Sequence, residues 1–192
     1  MNNVRAVLLA GGRGLRMGKL SSAFGLKPLV PFGGVCRLVD FSLDNARLSG
    51  LPEVLLLSQH NEVQLIRYML AIWNSWPGFR VHLGPYDGCT LEDCETVVTA
   101  VRRPEEKGTA DALIKNGAYL FGSCYSELLV LHADHVYRYD YGGMIQFHRE
   151  SAAALTIGYQ RIERRYHRQP ADFPRPKCSE RFHHRVCGAG RD

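Results

Sequence analysis

The 192-residue sequence has no apolar run approaching the roughly 18–20 residues that a membrane-crossing helix requires. Only one Arg and about six apolar residues precede Gly11-Gly12, too few for a signal-peptide core, so a cytoplasmic protein is expected. The six cysteines (Cys36, Cys89, Cys94, Cys124, Cys178 and Cys187) contain no Cys-x-x-Cys pair and are thinly spread for a disulfide framework. Free thiols in a reducing compartment follow. Cys178, His183, His184 and Cys187 are metal-ligand residue types, but two adjacent imidazoles rarely converge on one ion in the Cys2His2 manner. A surplus of positive charge is also missing from most of the chain. Residues 1–160 hold 15 basic and 15 acidic side chains, whereas 161–192 hold nine and four, which accounts for the whole net charge of +5. A nucleic-acid argument would therefore rest on the tail alone, where no aromatic interleaving accompanies the arginines.

What is present is an apolar fraction of 45%, enough for one buried core, arranged as alternating strand and helix patterns. Val4–Ala10 is a nearly continuous apolar run that suits a strand buried on both faces of a parallel sheet. Further strands are predicted at Glu53–Ser58, Arg80–Leu83, Leu128–His132 and Ala154–Tyr159. Helices are predicted at Arg37–Leu48 (Leu38, Phe41, Leu43 and Leu48 inward, Gly50 as the stop), Asn61–Trp73 (Val63, Ile66, Leu70 and Trp73 inward), Thr109–Leu120 with a Thr109 N-cap, and Tyr141–Ser151. The alternation argues for an open α/β sheet whose ligands sit at the carboxyl ends of the strands. From Arg161 the periodicity disappears. That segment contains Pro170, Pro174 and Pro176 and little aliphatic content, so residues 1–160 are expected to form the domain and 161–192 a disordered basic tail.

Four motifs are candidates for chemistry, and two of them, the loop after the first strand and Asp134, fall where such a sheet places ligands. Leu9-Ala10-Gly11-Gly12-Arg13-Gly14-Leu15-Arg16 follows the first strand. Its glycines allow a tight turn with N–H groups presented to an anion, and Arg13 and Arg16 add positive charge, so phosphate binding is the chemistry suggested. The spacing fits neither G-x-G-x-x-G nor the P-loop, because Gly18-Lys19 lacks the glycine five residues earlier. An ordinary strand–helix turn would serve with fewer glycines and no arginines. In Lys27-Pro28 the proline disfavours helical geometry at Lys27 and is expected to hold it extended, aiming a cation back at the loop. Asp134 follows the strand ending at His132 and is a natural Mg2+ ligand, with phosphate oxygens completing the shell; capping a turn is its ordinary alternative. Gly108-Thr109 offers close backbone approach and a helix start, or simply a cap.

Taken in order, L-A-G-G-R-G-L-R-M, Lys27-Pro28, P-F-G-G, R-L-V-D-F, Ser58-Gln59, G-T-A-D-A and A-D-H-V-Y resemble the N-terminal part of the glucose-1-phosphate adenylyltransferases (ADP-glucose pyrophosphorylases) over about residues 4–160. The resemblance implies a Rossmann-like, mostly parallel sheet of the sugar-phosphate nucleotidyltransferase type. It also implies transfer of AMP from ATP to glucose 1-phosphate, with pyrophosphate released and Mg2+ required, as in glycogen synthesis. On that likeness Gly11, Gly12 and Gly14 would hold the nucleotide phosphates through backbone N–H groups, and Leu9 and Ala10 would belong to the nucleotide-binding site. Arg16 would bind the departing pyrophosphate, and Lys27 would offset charge near the reacting phosphates. Gln59, Gly108 and Thr109 would line the base pocket, and Asp134 would hold the metal.

The sequence also departs from that family. Glu106 stands where an aromatic residue commonly contacts the sugar phosphate, and a carboxylate there would repel it. Phe24 stands where an allosteric lysine is found. The family's sugar-binding Glu-Lys pair, its second Mg2+ carboxylate and its C-terminal β-helix domain have no counterpart in 161–192. The loss of pattern near Ile162 is what a reading-frame change followed by an early stop would produce. Turnover by this chain is then expected to be weak or absent. The alternatives are a non-catalytic nucleotide-binding protein, alone or in a homo- or hetero-oligomer with a full-length paralogue, and a basic-tail nucleic-acid binder.

Overall fold

The computed structural model describes residues 3–11, 26–59, 62–121 and 125–159, and the backbone of 183–187. The chain divides into two compact units, Met1–Asp140 and Tyr141–Asp192. In the first, β1 (Val4–Leu9), β4 (Glu53–Leu57), β5 (Arg80–His82) and β6 (Glu127–His132) form one sheet in the order β5-β4-β1-β6. All three pairings are parallel. A short antiparallel hairpin, β2 (Pro31–Phe32) and β3 (Cys36–Arg37), stands apart from it. The α/β class and parallel sheet agree with the sequence pattern.

Burial explains why β1 is central. Val4, Ala6, Val7 and Leu8 are all buried, so both faces of the strand are covered, and β4 and β6 pair with its two edges. Arg5 is the exception in type and only 5% exposed; its guanidinium pairs with Glu53 and lies 4.9 Å over the Tyr125 ring. Tyr125 in turn donates to Glu53 at 2.7 Å. Val7, Leu55, Leu57 and Leu120 make one buried cluster, joined by the partly buried Leu9, Leu113 and Leu128. β6 reads differently. Leu129 and Leu131 are buried but Val130 is 40% exposed, the alternation expected of an edge strand.

α1 (Leu38–Leu48) begins with a reciprocal cap in which the Asp40 carboxylate accepts the Arg37 N–H at 2.7 Å. Asp40 also accepts from Tyr68 and from the Trp73 indole, both at 2.8 Å, fixing α1 to the next helix. The buried face of α1 is Leu38, Val39, Ser42, Leu43, Asn45 and Ala46; Leu38 and Leu43 are inward as expected, whereas Phe41 is only partly buried and Leu48 is 57% exposed. Gly50, at φ +77°, ends the helix in the left-handed conformation glycine supplies at little cost. α2 (Glu62–Tyr68) continues as a π-helical turn, Met69–Trp73. The inward stripe is Leu65, Ile66, Met69 and Trp73; Ile66 and Trp73 are as expected, whereas Val63 and Leu70 are only partly buried. α3 is Cys94–Ala100.

The helix expected over 109–120 is two pieces, α4 (Thr109–Lys115) and α5 (Gly117–Leu120), broken where Asn116 bonds back to the Ala112 carbonyl at 2.8 Å. Gly108 is its N-cap and Thr109 its first helical residue, so the expected Thr109 cap is absent. The second unit contains α6 (Tyr141–Glu150), β7 (Leu155–Tyr159) and β8 (His183–Cys187). β7 does not join the main sheet; it pairs antiparallel with β8, Leu155 opposite Cys187 and Tyr159 opposite His183. The expectation of a tail without regular structure therefore fails at 183–187. No helix among the described residues is long and apolar enough to cross a membrane.

Leu55 sits fully buried in β4, so Leu55→Ala should cost about 2–5 kcal/mol of stability in urea unfolding. A loss under about 1 kcal/mol would show the cluster to be loosely packed. His82 gives a pH test. Burial holds its imidazole below the ordinary value, with Arg5 and Arg80 acting the same way and Asp87 opposing. The unfolded chain then takes the proton more readily, so stability is lost as pH falls below about 6.5. Unfolding midpoints measured between pH 7.5 and 5.5 should drop less in His82→Gln than in the parent.

Candidate active site

The strand order turns the sheet's direction at β1. From β1 the chain moves to β4 and β5 on one side, then crosses to β6 on the other. Such a reversal leaves a crevice at the carboxyl ends of the strands. A cavity of about 300 Å³ lies there. Leu9, Ala10 and Gly11 line it from the end of β1, Leu57 and Gln59 from the end of β4, and His132, Ala133 and Asp134 from the end of β6. Lys27 and Pro28 form another wall, and Glu106, Lys107, Gly108, Thr109 and Ala112 close it from the start of α4. Eight residues singled out in the sequence thus converge: Leu9, Ala10, Gly11, Lys27, Gln59, Gly108, Thr109 and Asp134. Gly12, Gly14 and Arg16 lie outside the described residues, as does Phe24.

The floor is held by backbone hydrogen bonds. Ala10 N–H donates to Leu57 O at 2.8 Å and Ala133 N–H to Leu9 O at 3.1 Å, so β1, β4 and β6 end together. α1 secures the segment around Asp134 with its buried polar residues. Ser42 donates to His132 O at 2.6 Å; Asn45 donates to Tyr137 O at 3.0 Å and accepts from Tyr139 N–H at 3.1 Å. Asp134 is therefore presented from a backbone pinned on both sides.

Lys27 meets it. The Lys27 ammonium lies 2.5 Å from Asp134 Oδ2. Burial raises the Asp134 carboxyl pKa, but the hydrogen bond and charge of Lys27 outweigh it and hold the group below the ordinary carboxylate value. Lys27 itself opens a 3-10 turn, Lys27–Leu29, with Pro28 inside its first turn; the extended residue is Leu26 instead. A single turn tolerates proline because its N–H would have no intrahelical partner there. His135 Nε2 stands 3.6 Å from the other Asp134 oxygen. A hard divalent cation suits these atoms in one way. Asp134 supplies one anionic oxygen facing the cavity, no cluster of three His, Cys, Asp or Glu occurs among the described residues, and Mg2+ accepts a shell completed by phosphate oxygens and water.

Sequence reasoning missed Arg103. Its guanidinium donates to Ser58 O at 2.8 Å and Glu62 Oε1 at 2.9 Å, and to Glu106 Oε1 and Asn116 Oδ1, both at 3.0 Å. One side chain thus ties the β4 exit, α2, the 103–108 segment and the end of α4. Ser58 and Tyr86 also donate to Glu62, at 3.0 and 2.6 Å. Burial first, and then this hydrogen bond to Glu62, push the Tyr86 hydroxyl up to about 12, so it remains a donor. The Gln59 amide lies against the backbone N–H and C=O of Glu106, placed to bond both. The Glu106 carboxylate, expected to repel a substrate phosphate, is instead engaged by Arg103 and by Asn116 Nδ2 at 2.9 Å. No spacing rule marks an arginine in a proline-containing loop as a hub; only the fold assembles its partners.

Fold and cavity together define an α/β domain with a phosphate-compatible crevice at its switch point. Residues 5–167 match the family described as nucleotidyl transferases, and the chain belongs to that family. The chain is 53% identical over 173 residues to a valienol-1-phosphate guanylyltransferase of Streptomyces hygroscopicus subsp. limoneus, covering 86% of this chain and 46% of that protein. It is 38% identical over 164 residues to glucose-1-phosphate adenylyltransferase 1 of Alkalilimnicola ehrlichii, covering 83% and 36%. It is likewise 38% identical over 167 residues to glucose-1-phosphate adenylyltransferase 2 of Vibrio cholerae, covering 85% and 38%. The chain spans less than half the length of these relatives.

Replacing Arg103 strands Glu62 and Glu106 without their shared cation. Arg103→Met should lower stability by about 2 kcal/mol, read from denaturant unfolding. An unchanged midpoint would show that the four bonds are replaced by water at no net cost.

Proposed function

We propose that the cavity binds a purine nucleoside triphosphate and that the domain takes part in transferring its nucleotidyl group to a sugar 1-phosphate. The observation that carries this reading is the Lys27–Asp134 pair facing Gly11 across the end of β1. A phosphate oxygen of the acceptor attacks the α-phosphorus in line. The bond from that phosphorus to the bridging oxygen breaks, and pyrophosphate leaves with the electron pair. Little covalent chemistry falls to the protein, so positioning and charge neutralisation are its task. Gly11, with Gly12 and Gly14, offers backbone N–H groups to the phosphates. Lys27 neutralises charge beside them, and Arg16 holds the pyrophosphate. Gln59, Gly108 and Thr109 border the base, while Leu9 and Ala10 form the floor. Asp134 is the residue that would hold Mg2+, which when bound neutralises phosphate charge.

The greater similarity to a guanylyltransferase favours GTP, with valienol 1-phosphate or a related acceptor, over the ATP and glucose 1-phosphate suggested by the motifs. A purified sample given GTP or ATP with Mg2+, and valienol or glucose 1-phosphate, should release pyrophosphate only when the acceptor is present, and faster with GTP. Asp134→Asn should reduce that rate by about 10²–10³-fold. Triphosphate binding without acceptor-dependent release would instead support a nucleotide-binding protein without turnover. Absence of both would end the reading.

A further inference from the structure

We propose that Lys27 is an internal stand-in for the divalent cation at Asp134, and that it gives up this place when a triphosphate draws its ammonium away. Cation and nucleotide binding are then each conditional on the other. The inference rests on the nucleotidyl-transfer reading above, and on four observations within the first unit.

The ammonium is already where a metal would sit, 2.5 Å from Asp134 Oδ2 and on the cavity wall. Both side chains are about one-third exposed, so each can re-aim without unpacking the core. The Asp134 backbone is held in place, flanked by the Ala133-to-Leu9 and Ser42-to-His132 bonds, while Lys27 opens a single 3-10 turn closed by the Val30 N–H bond to its carbonyl at 3.1 Å. Finally, the other Asp134 oxygen faces His135, and no cluster of three ligating residues is present among the described residues. An incoming dication therefore meets one carboxylate, already neutralised, and no further protein ligand set to compensate for displacing the ammonium.

A triphosphate changes both terms. Its oxygens give the flexible lysine head a new anionic partner and give the cation the ligands the protein lacks. The exchange keeps local charge nearly balanced at each stage. By linkage, the factor by which triphosphate tightens the cation must equal the factor by which the cation tightens triphosphate.

Mn2+ serves as the probe, with free ion followed by electron paramagnetic resonance on the full chain. Without nucleotide, the parent should bind Mn2+ weakly, and Lys27→Gln should bind it about two- to fivefold more tightly because the competing cation is gone. Lys27→Arg, which keeps a cation there, should stay near the parent. Asp134→Asn should abolish Mn2+ binding in the parent and in the Lys27→Gln background. With a non-hydrolysable triphosphate, and with Mn2+ bound by nucleotide alone subtracted, parent and Lys27→Gln should both tighten through the phosphate ligands, but the parent by the larger factor because only there is the competing ammonium also drawn away. Thermal unfolding near the parent value establishes that the variants are folded. Equal affinity of Lys27→Gln and parent, with Asp134→Asn still abolishing binding, overturns the stand-in while leaving the metal role of Asp134 intact. Mn2+ binding that survives Asp134→Asn overturns both.

Discussion

Everything at this site depends on the parallel pairing of β1 with β4 on one edge and β6 on the other. A strand buried along almost its whole length cannot shift register without exposing Val7 or Leu8 or burying a mismatched neighbour. The carboxyl ends of three strands are therefore fixed in relation to one another before any functional side chain is considered. Gly11, Gln59 and Asp134 inherit their separation from that register. The single charged residue in β1, Arg5, satisfies the same constraint by pairing with Glu53 and Tyr125 at the opposite end of the strands.

A second layer of constraint is polar. The buried side of α1 carries Ser42 and Asn45 among its apolar residues, and both spend their hydrogen bonds on the 132–139 backbone. On the other flank, Arg103 joins four segments through one guanidinium. Buried polar groups in such networks are costly when unpaired, which makes them effective at selecting one arrangement of loops that hydrophobic contact alone would leave loose. The cavity is consequently framed by an apolar sheet below and by two polar clamps at its sides.

The apolar part of this plan was legible in the sequence and the polar part was not. Continuous runs at Val4–Leu9 and Glu53–Leu57 announce doubly buried strands, and the residues directly after them announce the ligand side. Helix faces were less legible. In α2 and the π-helical turn that continues it, Leu65 and Met69 are buried in place of the expected Val63 and Leu70, and Asn116 interrupts a pattern that reads as one helix. Ser42 and Asn45 look like solvent-facing residues because nothing local reveals that a distant loop will offer them carbonyls. β7 carries a pattern suited to the main sheet, yet pairs with 183–187, where composition gave no strand signal. Pairing partners are a property of the whole chain.

The same distinction bears on what selects the nucleotide. On the nucleotidyl-transfer reading proposed above, Gly11, Lys27 and Asp134 address phosphate and charge, which all nucleoside triphosphates share. On the same reading the base falls to the part of the cavity lined by Gln59 and residues 106–109. There the Gln59 amide is occupied by the Glu106 backbone, and Glu106 by Arg103 and Asn116. On that reading, discrimination between guanine and adenine would rest on the backbone donors and acceptors that this network holds in place, not on one side chain read in isolation.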